Sequence, residues 1–147
     1  MAGSAPYVDP RGLRFAATLT AIVLAVVLVT SSAVLLGVQA VVFAIGAFGG
    51  LRRAPYGLLF RHTLASRLPK PTQLEPEQPP RFAQLVGLVF ALVGVIGYAT
   101  GLGWLGVIAT ALAFIAAFLN AAFGFCLGCE FYLLSRRVLT IRKGVPA

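Results

Sequence analysis

The run from Phe15 to Leu51 contains no charged side chain. As one continuous helix it would extend about 55 Å at roughly 1.5 Å per residue, far beyond a bilayer hydrocarbon core of about 30 Å. It must therefore fold back on itself. The polar cluster Thr30-Ser31-Ser32 is the natural turn, because its hydroxyls can accept hydrogen bonds from the first free amides of a following helix. This predicts one span over 13–29 and a second over 33–51. Arg11 and Arg14 before an apolar run, followed by Ser31-x-Ala33, also fit a secretory signal that cleavage would remove. Against that, Ala33 leads directly into another hydrophobic span with no polar start to a mature chain.

A second pair of spans follows. Phe82 to Thr100 forms one apolar segment, Gly101-Leu102-Gly103 a turn, and Trp104 an interfacial aromatic opening the next segment, which gives spans over 82–100 and 104–123. Hydrophobic residues make up 59% of the 147-residue chain and charged residues 11%, against about 25% charged in soluble domains. A soluble domain of this length cannot bury so much apolar surface. The expected fold is an all-α membrane protein whose four transmembrane helices form two packed helical hairpins. Its parts are a flexible tail (1–12), a transmembrane domain (13–135) with one polar loop (52–81), and a basic tail (136–147).

The formal charge is +8, but the basic residues flank apolar spans. That pattern fits anionic lipid headgroups and the setting of topology rather than nucleic acid. With four spans, all 12 Lys and Arg residues fall on one face and the two opposite turns carry none. The positive-inside rule makes that face cytoplasmic, so both termini and the 52–81 loop lie in the cytoplasm of a bacterial inner membrane. In the loop, Tyr56–Leu68 sets Leu58, Leu59, Leu64 and Leu68 among basic residues, as an interfacial amphipathic helix or an irregular basic segment. His62 has no partner in the sequence that would make it catalytic.

Two features concern packing. Arg14-Phe15-Ala16 opens the first span and Arg81-Phe82-Ala83 the third, each after a proline and each before a hairpin. This is a short internal repeat or a recurring interfacial anchor. Gly46/Gly50, Gly97/Gly101 and Gly124/Gly128 are small-x-x-x-small pairs, extended on the last span by Ala113, Ala117 and Ala121. They suit close helix approach within one chain, or in a homodimer. Asn120 is the one strongly polar side chain in the last span, available for function or for an interhelical hydrogen bond.

The reactive chemistry is concentrated in Phe123-Gly124-Phe125-Cys126-Leu127-Gly128-Cys129-Glu130. Its Cys-x-x-Cys spacing suggests redox work, metal binding or neither. A helix from Trp104 to Leu134 would be about 46 Å long, so a break at Gly124 or projection into the cytoplasm is expected. If the helix restarts there, Cys126 lies at its N-terminus, where thiolate is favoured. Glu130 would lie about 40° from Cys126 around a continuous helix, as a possible proton acceptor. Two thiolates fall short of the four ligands of structural zinc unless a dimer or His62 adds more. A disulfide or persulfide relay, palmitoylation and a purely structural role in a transporter or scaffold subunit all remain open. On a cytoplasmic face the thiols would be kept reduced.

Val8-Asp9-Pro10-Arg11, Arg14-Phe15, Pro80-Arg81-Phe82-Ala83 and Phe123–Cys129 with Tyr132 resemble the bacterial membrane family called domain-of-unknown-function family 4395, in its actinobacterial form. The likeness spans about Val8 to Arg137, and matches the motif at Asp9, Arg11, Arg14, Arg81, Cys126, Gly128 and Cys129. It implies a small four-span inner-membrane protein. It also implies a thiol- or sulfur-handling role beside a thioredoxin-like protein or a rhodanese-type sulfurtransferase, because members are often encoded near these. No cofactor is implied. Cys126 is then the expected attacking thiol and Cys129 the resolving one. Arg11, Arg14 and Arg81 would anchor the helix starts and shape a docking surface.

Overall fold

The computed structural model describes residues 7–142 and 144. In order, the chain forms β1 (Tyr7–Val8), α1 (Pro10–Thr30), α2 (Ala33–Ala44), α3 (Pro55–Thr63), β2 (Glu75–Pro76), α4 (Gln78–Ala99), α5 (Gly103–Phe123) and α6 (Leu127–Arg142). The fold is helical apart from the two-residue antiparallel pair β1–β2. α1, α4 and α5 are long and apolar enough to cross a membrane. α2 is shorter, and its end tightens into a π-helical turn over Ile45–Gly49.

Local chemistry sets these boundaries. Asp9 caps α1, which begins on Pro10, three residues earlier than the hydropathy pattern predicts. The turn after α1 falls at the expected serines. Ser31 adopts a left-handed conformation (φ 54°), and Ser32 Oγ accepts from the Leu35 amide at 3.1 Å. α4 starts at Gln78, taking the prolines 79 and 80 into its first turn, where their missing amides cost nothing. The segment after Leu134, expected as a tail, continues α6 to Arg142.

α1 packs most extensively on α5, α2 on α4, and α4 on α5, with α3 laid against α1 and α6 against α4. The core runs from the two inter-helix turns into the middle of the bundle, where Leu24, Val27 and Leu36 are fully buried with Phe43, Ala91 and Ala113 around them. Backbones touch at the turn end: a Cβ on Gly97 would meet the Gly106 amide nitrogen at 2.5 Å. The opposite end, which carries the basic residues, is open.

The repeat suggested by Arg-Phe-Ala is wider than those three residues. Ala47-Phe48-Gly49 recurs as Ala122-Phe123-Gly124, and Leu58-Leu59-x-Arg61 recurs in the same register as Leu133-Leu134-x-Arg136. The matches set α1–α2–α3 against α4–α5–α6 as two units, and their arginine contacts are reciprocal. Arg81 on α4 donates to the Ala47 carbonyl at 2.9 and 3.1 Å and to Phe48 at 3.3 Å, closing the end of the α2 segment. Arg14 on α1 donates to the Ala121 and Ala122 carbonyls at 3.1 and 3.4 Å, closing the end of α5. Phe15 meets Phe60 of α3 and Phe82 meets Tyr132 of α6, each with ring centroids 5.7 Å apart.

Candidate functional site

The sulfurs owe their position to one glycine. Gly124 ends α5 with φ 69°, a left-handed conformation that glycine adopts without strain, and its amide bonds back to the Asn120 carbonyl. The chain turns through Phe125 and restarts as α6, with Cys126 immediately before the first helical residue. Cys126 acts as the helix cap: its Sγ accepts from the Cys129 amide at 3.2 Å, and its carbonyl accepts from Glu130 at 3.0 Å. The two cysteines are joined as a disulfide with Cα atoms 5.2 Å apart. The charge pattern led us to expect free thiols; the structure holds the oxidised pair, whose spacing at a helix start lets it close without moving the backbone.

Gly128, between the cysteines, lies so close to α4 that a Cβ there would meet the Ala83 Cβ at 2.5 Å. This contact fixes the start of α6 against the bundle. Arg14 closes the C-terminus of α5 from α1 and runs beside Gly124, which brings a cation to the turn that carries Cys126. An α6 N-terminus and a guanidinium thus both put positive potential near that sulfur.

Both cysteines border a cavity of about 420 Å³ at the open, basic end. It runs from Tyr7 and Asp9 down to Thr20, halfway along α1, with Gln84 and Asn120 in its wall. In the repeat register, Cys126 and Cys129 correspond to Leu51 and Ala54, and these line the same cavity. The cavity therefore lies between the two units, with a disulfide in the wall of one and an apolar surface in the other. Arg14, Arg52, Arg61 and Glu75 also line it.

The surrounding polar groups are held in place. Asp9 accepts from the Arg11 amide at 2.9 Å and from its guanidinium at 2.9–3.2 Å, and these bonds hold its carboxyl below the usual carboxylate range. Buried Glu77 accepts from the Leu51 amide at 2.6 Å and fixes the loop facing the cysteines. Tyr56 donates to Oε1 of fully buried Gln39 at 2.7 Å, and burial raises the Tyr56 hydroxyl above its ordinary value.

Among the residues singled out from sequence, Cys126, Cys129, Arg14, Asn120 and Gly124 come together around this cavity. Arg11 reaches it through Asp9, and Gly128 supports it from behind. Arg81 closes the α2 segment instead. Glu130 is exposed on another face, in a shallow groove with Leu127, Phe131 and Arg137. The sector expected to unite Glu130 with both thiols requires Cys126 to be helical, and its capping position turns it away. His62 is exposed and does not line the cavity. Among the described residues no cluster of three His, Cys, Asp or Glu side chains could hold a metal. Tyr56, Arg52, Arg61 and Glu75 were not legible as site residues. The one available signal was the repeat, which sets Leu51 and its neighbours opposite the cysteines.

The family model described as a domain of unknown function, DUF4395, matches residues 8–137. The chain belongs to the DUF4395 family. That match runs from the residue before the Asp9 cap into the second half of α6, so every lining residue of the cavity in this DUF4395 member except Tyr7 lies inside the family region. No curated protein and no solved structure matches the chain.

Proposed function

We propose that this protein is a four-span membrane component that exchanges disulfides or sulfane sulfur through Cys126 and Cys129 at the cytoplasmic face of a bacterial inner membrane. The observation that carries this reading is the Cys126–Cys129 disulfide at a helix start, bordering an open cavity rather than buried in the core. A structural disulfide gains most by closing a long loop of the unfolded chain; a link across three residues gains little, and is better suited to opening and closing. α2 with its π-helical turn supplies 12 and 5 residues, about 25 Å of helix and near the lower limit for a span, which supports a fourth crossing.

In the exchange, a partner thiolate attacks Sγ of Cys126, and the Cys129 sulfur leaves as a thiolate and takes up a proton. A second partner thiol then displaces Cys126. Two electrons and two protons pass from the partner dithiol to the protein disulfide. A thioredoxin-like protein fits as partner, and a rhodanese-type sulfurtransferase would deliver its persulfide to reduced Cys126 instead. In the reverse direction Cys126 of Cys129→Ser attacks a partner disulfide, releases one partner thiolate and, with the resolving sulfur removed, should accumulate reductant-sensitive adducts in cells, whereas Cys126→Ser should not. If both variants remain free of adducts and match the wild type in growth under thiol stress, the exchange reading is wrong.

The descent of the cavity to Thr20 favours a second reading, a small transporter or accessory subunit with structural cysteines. Uptake of sulfur anions into vesicles that survives replacement of both cysteines would select it.

A further inference from the structure

Resting on the exchange reading, we infer that the reductant or oxidant reaching Cys126 within the cavity is a low-mass anionic thiol or its disulfide. The argument begins with access. The sulfurs lie in the wall of a recess of about 420 Å³, within the range of about 300–1,000 Å³ typical of small-molecule sites. β1, β2 and α3 contribute residues to its lining, and a small thiol can pass between them to the disulfide.

Charge then selects among small thiols. The lining carries three guanidinium groups, Arg14, Arg52 and Arg61, against the carboxylates of Asp9 and Glu75. Asp9 is already paired with Arg11 at 2.9 Å, so it offers little to an incoming cation. Arg14 and Arg61 donate to backbone carbonyls, which leaves their charge unneutralised, and Arg52 makes no side-chain hydrogen bond among the described residues. Such a recess concentrates anions. In the wall, Gln84 and Asn120 offer amides to a polar tail, and Leu51 and Ala54 give an apolar surface opposite the sulfurs.

The chemistry balances with the thiol as the only co-reactant. One thiolate RS⁻ attacks Sγ of Cys126, forming R–S–S–Cys126 and releasing Cys129 as thiolate. A second RS⁻ attacks the sulfur of R, forming RSSR and releasing Cys126. Two thiols are oxidised by two electrons while one protein disulfide is reduced, and each released cysteine sulfur takes a proton. Run backwards, RSSR oxidises the dithiol.

The test uses the oxidised full chain in detergent micelles and three thiols of similar size: 2-mercaptoethanesulfonate, 2-mercaptoethanol and cysteamine. Rates of disulfide opening are compared at equal thiolate concentration and low salt. The sulfonate should react about tenfold or more faster than cysteamine, and its disulfide RSSR, added to reduced Cys129→Ser, should leave the adduct mass on Cys126. Arg52→Gln should reduce this preference several-fold and Arg52→Glu should abolish it, while Arg136→Gln with Arg137→Gln, which removes more charge away from the recess, should leave it intact. No preference among the three thiols, or a preference equally sensitive to Arg136 and Arg137, overturns the inference. If the thiols show no preference yet Cys129→Ser still accumulates protein adducts in cells, the exchange reading survives and this inference falls. If no thiol opens the disulfide and no adduct forms in cells, both fall.

Discussion

Asp9 combines two interactions in one carboxylate. It satisfies the Arg11 amide at the start of α1 and holds the Arg11 guanidinium by an ion pair of 2.9 Å. The Asp9 side chain keeps 20% of its surface exposed and that of Arg11 34%, so solvent still screens the ion pair and the cap should dominate. Asp9→Ala should therefore cost about 1 kcal/mol, and Asp9→Asn less, because asparagine caps nearly as well. The sign of the pH dependence follows from the lowered carboxyl. A group with a depressed folded value stabilises fully above its unfolded value of about 3.9, and loses that contribution as pH falls through the folded value. The stability gap between wild type and Asp9→Asn, read from unfolding midpoints in micelles, should be constant from about pH 6 to 8 and close below about pH 4. A gap that persists at the acid end would mean that the carboxylate charge is not what distinguishes the two residues. Single residues were read unevenly from the sequence. Gly124 was legible as a break because helix length demanded one. Glu130 was misplaced because its grouping with the cysteines assumed a continuous helix through Cys126.

The elements are joined by arginines whose partners leave no trace in sequence. Arg-Phe-Ala at 14–16 and at 81–83 is visible as a repeat, but the carbonyls that these arginines close belong to any residues at a helix end. Hydropathy alone therefore located the spans and could not pair α1 with α5 or α2 with α4. The Pro-rich approach to α4 was equally opaque. It reads as a linker, yet it supplies Glu77 to the Leu51 amide and Glu75 to β2 and the cavity. The two caps are not of equal strength. Arg81 uses two nitrogens on Ala47 and reaches Phe48, and is half-buried, whereas Arg14 uses one nitrogen and is exposed. Hydrogen bonds to charged groups contribute about 1.5–3 kcal/mol. Arg81→Gln should lose an amount in that range and Arg14→Gln clearly less, by denaturant midpoints of the full chain. A larger loss at Arg14 would show that its charge near the Cys126 turn matters more than the carbonyls it closes.

The whole molecule divides into a packed end and an open end, and the charge follows the division. Leu24, Val27 and Leu36 belong to a core that runs from the two short turns into the middle of the bundle, while the cavity, the disulfide and the basic residues occupy the other end. This polarity was readable from the distribution of Lys and Arg; the cavity was not, because it forms between two units whose match becomes clear only once they are folded together. The polarity also gives the orientation a direct test. In a chain lacking both native cysteines, single cysteines at Thr30, Ser66, Thr100 and Ser135, all exposed, would sample each connection. With four crossings and the basic end in the cytoplasm, a membrane-impermeant maleimide applied to spheroplasts should label Thr30→Cys and Thr100→Cys, and reach Ser66→Cys and Ser135→Cys only after permeabilisation. The short α2 segment decides the alternative. If it fails to cross, every later site changes side, and Ser66→Cys and Ser135→Cys would label with Thr30→Cys while Thr100→Cys would be protected. That pattern would put the disulfide outside the cytoplasm, in an oxidising compartment, and would reverse the expected direction of electron flow through Cys126.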